Sequence, residues 1–208
     1  MINKPQTFIF AGRSGCGKGT QLKLLREYLT KEDKYCNQFA FSTGDAFRNF
    51  FKENTYASNL AKTITQKGEL QPLFLTISLW GNAFLNDLKE TDHIFIDGYP
   101  RVKAESEALD SALKFFQRDN IIILDFIVSR ETSKNRMLLR GRNDDTKENV
   151  ETRLDWYDRD VTPAINYLKN QPGYVYLEID GEKTIEEIHL DIINKIREYC
   201  TVCRKKNQ

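Results

Sequence analysis

The sequence predicts an α/β protein with a doubly wound parallel five-stranded sheet. Short apolar runs rich in β-branched and aromatic residues alternate with longer amphipathic stretches, as in strands joined by helical crossovers. Some runs are continuously apolar, as at residues 121–124, which is expected when helices cover both sheet faces. A glycine-rich loop also joins the first run to a helical stretch. The predicted strands are residues 7–11, 39–43, 93–97, 121–128 and 174–179.

Size and charge exclude several classes of protein. The chain has 208 residues and a net charge of +1, which suits one main domain with a small inserted lobe and does not indicate a nucleic acid partner. No run approaches the roughly 18 apolar residues of a membrane span. Few residues precede the first strand, which leaves no room for a signal peptide. We therefore expect a cytoplasmic protein with no membrane partner.

The cysteines do not form a pattern typical of zinc sites. Cys16 and Cys36 are isolated, and only Cys200 and Cys203 form a Cys-x-x-Cys pair, without a second pair. We therefore predict no zinc site.

Two helical segments can be placed from their spacing. The segment between Asp45 and Lys89 holds too much helix for one crossover, which predicts an inserted helical lobe. Its last part has a stripe that we interpret as core packing rather than a base-stacking surface, formed by Leu73, Ile77, Trp80, Phe84 and Leu88. The last helix begins at Thr184, whose spacing to Glu187 predicts a capping box.

The glycine-rich loop is the strongest functional signal. Residues 12–20 read GRSGCGKGT, directly after a strand and before a helix, which is the context of a phosphate-binding loop. Its glycines let backbone N–H groups face phosphate oxygens, the helix adds its dipole, and Lys18 reaches the outer phosphates. The alternative is a glycine turn that binds nothing, but it leaves the coincidence of glycines, lysine, strand and helix unexplained. Gly19 follows Lys18, so the magnesium-side contact falls to the Thr20 hydroxyl or to water.

Charged residues later in the chain suit the same chemistry. Asp97 closes a strand, where it can hold magnesium through water, and Arg101 follows it. Arg136 and Arg140 share one helix face, and Arg153 lies on a helix predicted to begin near Asp145 through an N-cap. These arginines could instead form a solvated face. The phosphate loop favours phosphate binding, for which planar guanidinium groups are well suited.

Taken together, these blocks resemble the adenylate kinases, a family of nucleoside monophosphate kinases, over residues 7–196. The blocks are the loop, residues 41–48 (FSTGDAFR), 68–72 (GELQP), 97–101 (DGYPR), 136–145 with Arg153, and 180–183 (DGEK). The resemblance implies reversible, direct in-line transfer from Mg-ATP to AMP, giving two ADP. It implies Mg²⁺ with ATP as cofactor, the nucleotides ATP, AMP and ADP as partners, and a monomer.

The resemblance also implies the site residues. ATP is expected to contact Gly12, Gly15, Cys16, Gly17, Lys18, Gly19, Thr20, Arg136, Arg140 and Lys183. AMP is expected to contact Thr43, Arg48, Leu70, Gln71, Gly98, Arg101, Glu105, Arg142 and Arg153. The catalytic set is Lys18, Arg48, Arg101, Arg140, Arg142 and Arg153, with Asp144 and Asp145 orienting the arginines or the lid and Mg²⁺ held through water near Asp97 and Thr20.

The sequence departs from the family pattern in three places. A single residue separates Arg140 from Arg142, so the expected lid is very short. Gln71 replaces a valine, and Glu105 replaces the glutamine that reads the AMP base. A carboxylate only accepts hydrogen bonds, so GMP, UMP/CMP or a broad range of acceptors are alternatives to the AMP that Thr43 favours. A nucleotide-binding regulatory module without turnover is a further alternative.

We expect a single kinase domain over residues 1–208. Its core is predicted to comprise residues 1–43, 90–139 and 147–208. A nucleoside monophosphate-binding lobe, at about 44–73, and a minimal lid, at about 140–146, complete it.

Overall fold

The five predicted strands form one parallel sheet. The computed structural model describes residues 4–33, 37–142 and 144–206, and side chains as far as residue 199; the cysteine predictions at 36, 200 and 203 lie outside these described side chains. The strands are β1 (Thr7–Gly12), β2 (Gln38–Ser42), β3 (His93–Asp97), β4 (Ile121–Ile127) and β5 (Tyr174–Asp180). Their order is β2-β3-β1-β4-β5, and every neighbouring pair is parallel. The predicted doubly wound sheet is confirmed.

Helices cover both faces of this sheet. They are α1 (Lys18–Glu32), α2 (Thr43–Phe50), α3 (Tyr56–Gln66), α4 (Leu73–Asp87), α5 (Lys103–Phe115), α6 (Arg130–Arg140), α7 (Lys147–Trp156), α8 (Thr162–Lys169) and α9 (Ile185–Lys206). A 3-10 turn, Phe51–Glu53, follows α2, and a π-helical turn, Tyr157–Val161, joins α7 to α8. None of the helices in the described part of the chain is both long and apolar enough to cross a membrane.

Two apolar clusters fill the space between sheet and helices. On one face, α1 and α9 contribute Leu25, Leu29 and Ile192 to a cluster with the aromatic residues of β1 and β4. On the other face, α4, α5 and α8 pack against the isoleucines of β1, β3 and β4. Burial of apolar side chains on both faces explains why the strands read as continuous apolar runs.

The aromatic stripe of α4 packs largely into the core, as predicted. Trp80 and Phe84 are buried, and Ile77 and Leu88 are partly buried against the same cluster. Leu73, at the first residue of the helix, is 40% exposed, so the stripe begins one turn later than its spacing predicts.

Three boundaries are set by capping. Ser42 accepts a hydrogen bond from the Asp45 N–H, so β2 ends there and α2 starts at Thr43, one residue earlier than the strand prediction. The predicted capping box of α9 is confirmed, because the N–H groups of Thr184 and Glu187 each donate to the other side chain. The predicted Asp145 N-cap of α7 is wrong: the adjacent Thr146 caps that helix.

Gly68 connects the turn after α3 to helix α7. It has φ +71°, and a Cβ there would lie 3.0 Å from the Asn149 Cα atom. Its carbonyl accepts a hydrogen bond from Trp156 Nε1 at 3.0 Å. A side chain at this position would therefore meet both backbone strain and a close backbone neighbour.

We expect Gly68→Ala to lower the free energy of unfolding by about 1–3 kcal/mol. The matched control is Gly81→Ala within α4, where a Cβ would meet no atom within 4 Å. Alanine there should raise stability by about 0.5–1 kcal/mol, because alanine is the better helix former. Urea unfolding of both variants checks this, and similar effects of the two substitutions would contradict the role given to Gly68.

Candidate active site at the carboxyl edge of the sheet

The predicted functional residues follow the carboxyl ends of the strands. The glycine-rich loop follows β1, Thr43 follows β2, and Gly98 follows β3. Because the strands are parallel, their carboxyl ends lie on one edge of the sheet, where ligands bind in open α/β folds. The chain therefore collects these residues on one side of the molecule.

The loop after β1 has the geometry of an anion site. Gly15 has φ +84°, and a Cβ there would lie 2.8 Å from the Ser133 carbonyl oxygen, so the turn requires glycine. Lys18 begins α1, and its Nζ atom donates to the carbonyl oxygens of Gly12 (2.6 Å) and Arg13 (2.9 Å). The first N–H groups of a helix have no intrahelical acceptor and carry the positive end of its dipole. The loop amides, the Lys18 ammonium and the start of α1 therefore lie together at one site.

A cavity of about 280 Å³ lies beside the loop. Six predicted ATP-binding residues line it: Gly15, Cys16, Gly17, Thr20, Arg136 and Lys183. The Arg136 guanidinium donates to the Gly181 carbonyl at 2.9 Å, which joins α6 to the turn after β5. Gln21, Ile185 and Ile188 also line the cavity. Sequence reasoning missed these three as site residues because their spacing is that of ordinary helix packing. The other predicted ATP-binding residues, Gly12, Lys18, Gly19 and Arg140, are not among its lining.

A buried carboxylate holds two of the predicted arginines. Arg140 donates to both oxygens of Asp145, at 2.9 and 2.8 Å, and Arg153 donates to one of them at 3.0 Å. The Asp145 side chain is fully buried, and it also accepts the Arg142 backbone N–H at 3.3 Å. Burial alone would raise the pKa of Asp145, but hydrogen bonds and charge from Arg140 and Arg153 bring it below its usual value. Asp145 is therefore held as a carboxylate.

Arg153 also contacts the loop. Its guanidinium donates to Asp144 at 3.3 Å and to the Ser14 hydroxyl at 2.9 Å. Burial lowers the pKa of Arg153, and the charges of the two aspartates oppose that shift. Arg153 is thus placed directly against the phosphate-binding loop.

Arg142 and Arg48 lie close to this cluster. Burial lowers the pKa of Arg142, and the charges of Arg140 and Arg48 lower it further, so the three guanidinium groups share one neighbourhood. Arg48 donates to Asp45 at 2.5 Å, and this hydrogen bond lowers the pKa of Asp45. Arginines from α2, from α6 and from the segment after α6 therefore converge.

A second group of predicted residues lies where β2 and β3 end. A Cβ on Gly98 would lie 3.5 Å from Arg101 Nη2 and 4.0 Å from the Thr43 hydroxyl, so these three residues are neighbours. The Thr43 hydroxyl is buried without a hydrogen-bond partner among the described residues. Arg101 donates from Nε to the Gly98 carbonyl at 2.9 Å and lies 5.6 Å from the Trp156 ring centre. Trp156 was not predicted, because the motifs that identify the site do not include it.

Glu105 lies behind Arg101 and is only 3% exposed. One carboxylate oxygen accepts the Arg101 backbone N–H at 2.6 Å. Burial raises the pKa of Glu105, and the hydrogen bond from Arg101 opposes the shift. Arg101 and Glu105 are therefore coupled through the backbone as well as through charge.

The side chains of Leu70 and Gln71 hold their own turn in place. The Gln71 amide nitrogen donates to the Ala61 carbonyl and to the Thr65 hydroxyl, both at 2.8 Å, so this side chain fastens the turn to α3. Leu70 packs against the core. The Gln71 side-chain oxygen, Oε1, is buried without a described hydrogen-bond partner.

The oxygen donors present fit magnesium held largely by substrate and water. In the described residues, no group of three or more His, Cys, Asp or Glu side chains could hold a metal by itself. Asp97 has a buried oxygen, Oδ1, without a described hydrogen-bond partner, and the Thr20 side chain lines the cavity. Hard cations such as Mg²⁺ use one or two such oxygens and keep several waters.

Comparisons with known proteins agree with one another. A family model described as adenylate kinase matches residues 10–172. An adenylate kinase from Prochlorococcus marinus (strain MIT 9515) is 34% identical over 178 residues, covering 85% of this chain and 92% of the relative. One from Corynebacterium aurimucosum is 34% identical over 184 residues, covering 88% and 94%. One from Oenococcus oeni is 30% identical over 182 residues, covering 86% and 93%. The family-model match includes the loop and Arg48 through Arg153.

We expect Asp145→Asn to lower the free energy of unfolding at pH 7 by about 1–3 kcal/mol, because its hydrogen bonds join charged groups. Since the folded-state pKa is lowered, the carboxylate's contribution is present above the usual value of 3.8 and is lost as pH falls through the lowered pKa. The difference from the unsubstituted protein should therefore shrink in acid.

Urea unfolding between pH 7 and pH 3 measures this difference. The control is Asp191→Asn, which removes a half-exposed pair with Lys195 and should change stability by less than about 1 kcal/mol. A difference for Asp145→Asn that is the same at both pH values would contradict the charge-based account.

Proposed function

The chain belongs to the adenylate kinase family, and we propose that it catalyses reversible phosphoryl transfer from Mg-ATP to AMP, giving two ADP. The observation that supports this most strongly is that groups suited to binding phosphates lie close together. A phosphate-binding loop, an adjoining cavity and a cluster of arginines lie at one sheet edge, beside a second group with an unpartnered hydroxyl. Two phosphate-bearing ligands could meet between them.

We propose that the loop binds the ATP phosphates and the cavity binds the rest of the nucleotide. The N–H groups of Gly15, Gly17 and Thr20 and the Lys18 ammonium are suited to polyphosphate oxygens. Arg136, which bonds to the turn after β5, is suited to stack on the adenine.

On the acceptor side, we propose that Arg48 and Arg101 bind the AMP phosphate. Thr43 and the backbone of the turn at Leu70 and Gln71 would surround its base. The burial of the Thr43 hydroxyl without a protein partner supports this, because such a group gains most from a ligand acceptor.

Catalysis would then consist of positioning and charge stabilisation. Arg140, Arg142 and Arg153 would surround the transferred group, whose oxygens share negative charge as the bond to ATP breaks and the bond to AMP forms. No covalent enzyme intermediate is needed, because the acceptor phosphate oxygen attacks the γ-phosphorus directly, and ADP leaves in line. Ion pairs with Asp144 and Asp145 hold Arg140 and Arg153 in advance, which lowers the cost of reorganisation.

Magnesium would be held through water near Asp97 and Thr20. Bound with ATP, it would neutralise phosphate charge. Asp97 supports this assignment with an oxygen that has no described protein donor.

We propose the same division of the chain as the sequence predicts. Residues 44–73 would form the acceptor-binding lobe, and residues 140–146 a minimal lid on a core of residues 1–43, 90–139 and 147–208. A monomer stays a prediction of the family resemblance, and a cytoplasmic location stays a prediction of the sequence.

A coupled assay of ADP formation tests the proposed reaction. Mg-ATP is offered with AMP, GMP, CMP or UMP separately. We expect AMP to be preferred; preference for another monophosphate would keep the mechanism and change the acceptor. Absence of turnover with all four, from folded protein that binds ATP, would contradict the proposal and favour a regulatory module.

We expect Arg101→Lys to lower kcat for ADP formation about 10²- to 10³-fold, because a lysine provides a point charge where a fixed guanidinium fork is needed. The melting temperature should change little, since the chain keeps a cation of similar length. Arg159→Lys is the matched control, because that side chain is 73% exposed and pairs only with its neighbour Asp160 among described contacts. Normal turnover of the Arg101 variant would refute the assignment.

Glu105 generates a test of acceptor choice. The Glu105 oxygen that does not accept the Arg101 N–H could accept a hydrogen bond from guanine N1–H or N2–H, whereas adenine offers an N6–H donor beside the N1 lone pair. An amide has one donor and one acceptor and suits adenine. We therefore expect Glu105→Gln to raise the ratio of kcat/KM for AMP to that for GMP by about tenfold, close to one hydrogen bond. An unchanged ratio would remove Glu105 from base recognition.

A further inference from the structure

The second and third residues of the phosphate loop, Arg13 and Ser14, make contacts that the nucleotide-binding roles leave unused. The Ser14 hydroxyl accepts a hydrogen bond from Arg153 Nη2 at 2.9 Å, and its carbonyl accepts one from the Ser133 hydroxyl at 2.6 Å. Ser14 therefore fastens the loop to α6 through its backbone and to the α7 arginine through its side chain.

Arg13, the residue before Ser14, contacts the π-helical turn that follows α7. Its guanidinium donates to Asp158 at 2.6 Å and to the Val128 carbonyl at 3.0 Å, and it lies 5.1 Å from the Tyr157 ring centre. Asp158 lies in the π-helical turn that directly follows α7. The loop is thus held by Ser14 to the carboxyl-terminal half of α7 and by Arg13 to the turn just beyond that end.

The contacts of Arg153 leave donors for a ligand. A guanidinium has five N–H groups. Three donate to described protein oxygens, one each to Asp144, Asp145 and Ser14. The aspartates anchor one terminal nitrogen, and Ser14 anchors the other, so the plane of the group is fixed relative to the loop. Without Ser14, only the nitrogen bound to the aspartates would be anchored, and the guanidinium group could swing about that nitrogen.

We propose that Ser14 is a positioning residue for phosphoryl transfer, whose hydroxyl sets Arg153 relative to the phosphate-binding loop. The inference rests on the proposed function, since it gives Arg153 a task at the transferred group. Because the lid segment is very short, the loop itself takes part in placing an arginine. The contact acts on the transition state through Arg153 and needs no contact between Ser14 and substrate.

The test compares Ser14→Ala with Ser133→Ala, which removes the other hydrogen bond of Ser14 and leaves Arg153 untouched. We expect Ser14→Ala to lower kcat about tenfold, with KM for ATP changed less than twofold, because Arg153 is then less firmly positioned in the transition state. Ser133→Ala should lower the melting temperature with kcat kept within about twofold. A raised KM with unchanged kcat for Ser14→Ala would overturn the inference.

A double-mutant cycle with Arg153→Met distinguishes positioning from a structural effect. If Ser14 acts through Arg153, Ser14→Ala should change kcat little once Arg153 has been replaced. The same tenfold loss in both backgrounds would overturn the inference. Thermal unfolding of the same four proteins measures the Ser14–Arg153 contact independently of activity. The loss of stability caused by Ser14→Ala should likewise be smaller once Arg153 has been replaced. Turnover of the unsubstituted protein with AMP tests the proposed function separately, and its absence would overturn both.

Discussion

The Asp145 carboxylate holds Arg140 and Arg153 together, and the geometry of the proposed transfer site depends on this contact. Guanidinium groups repel one another, and gathering several beside a lysine costs free energy unless negative charge lies between them. A carboxylate that is fully buried and accepts from both arginines supplies that charge. Its ionisation is secured in turn by the same arginines, because they lower its pKa. The cluster can therefore exist before any phosphate arrives.

The cluster lies beside the carboxyl edge of the parallel sheet. Parallel strands bring the loop after β1 and the ends of β2 and β3 to one edge. Arg153 of the cluster contacts that loop, and its charge acts on Arg101. Trp156 belongs to the second group: its ring lies against Arg101, and its Nε1 donates to the carbonyl of Gly68. One helix, α7, thereby carries both Trp156 and Arg153, which contacts the loop. The arrangement connects the proposed donor and acceptor sides through a packed element.

Local patterns predicted most of the fold, because strand periodicity and loop chemistry are properties of neighbouring residues. The five strands and the capping box of α9 are confirmed for that reason. The N-cap of α7 was predicted at Asp145 and is Thr146: both residue types can cap a helix, and the arginines of the cluster engage Asp145 instead. Burial of α4 was predicted from its spacing, but its first turn lies outside the core.

Contacts between distant residues could not be predicted in this way. Ser14 lies 139 residues from Arg153, and Gly68 lies 88 residues from Trp156, so no spacing rule connects either pair. The family resemblance implied the arginines and an orienting role for Asp144 and Asp145, but not the contact between Arg153 and Ser14. Gln71 shows the same limit. It lies in a turn that is expected to contact a ligand, but its side chain donates hydrogen bonds to α3. Long-range partners become visible only in the folded chain.

Amide hydrogen exchange of residues 140–146 tests the central claim, that the arginine cluster is formed in advance. In this segment the Gly141 N–H donates to Met137, the Arg142 N–H to Asp145 and the Asp145 N–H back to Arg142. The account predicts that these amides are already protected in the free protein and gain less than about tenfold in protection when ATP and AMP bind. Fast exchange in the free protein, followed by strong protection with nucleotides, would show that the cluster forms on closure and would contradict the account.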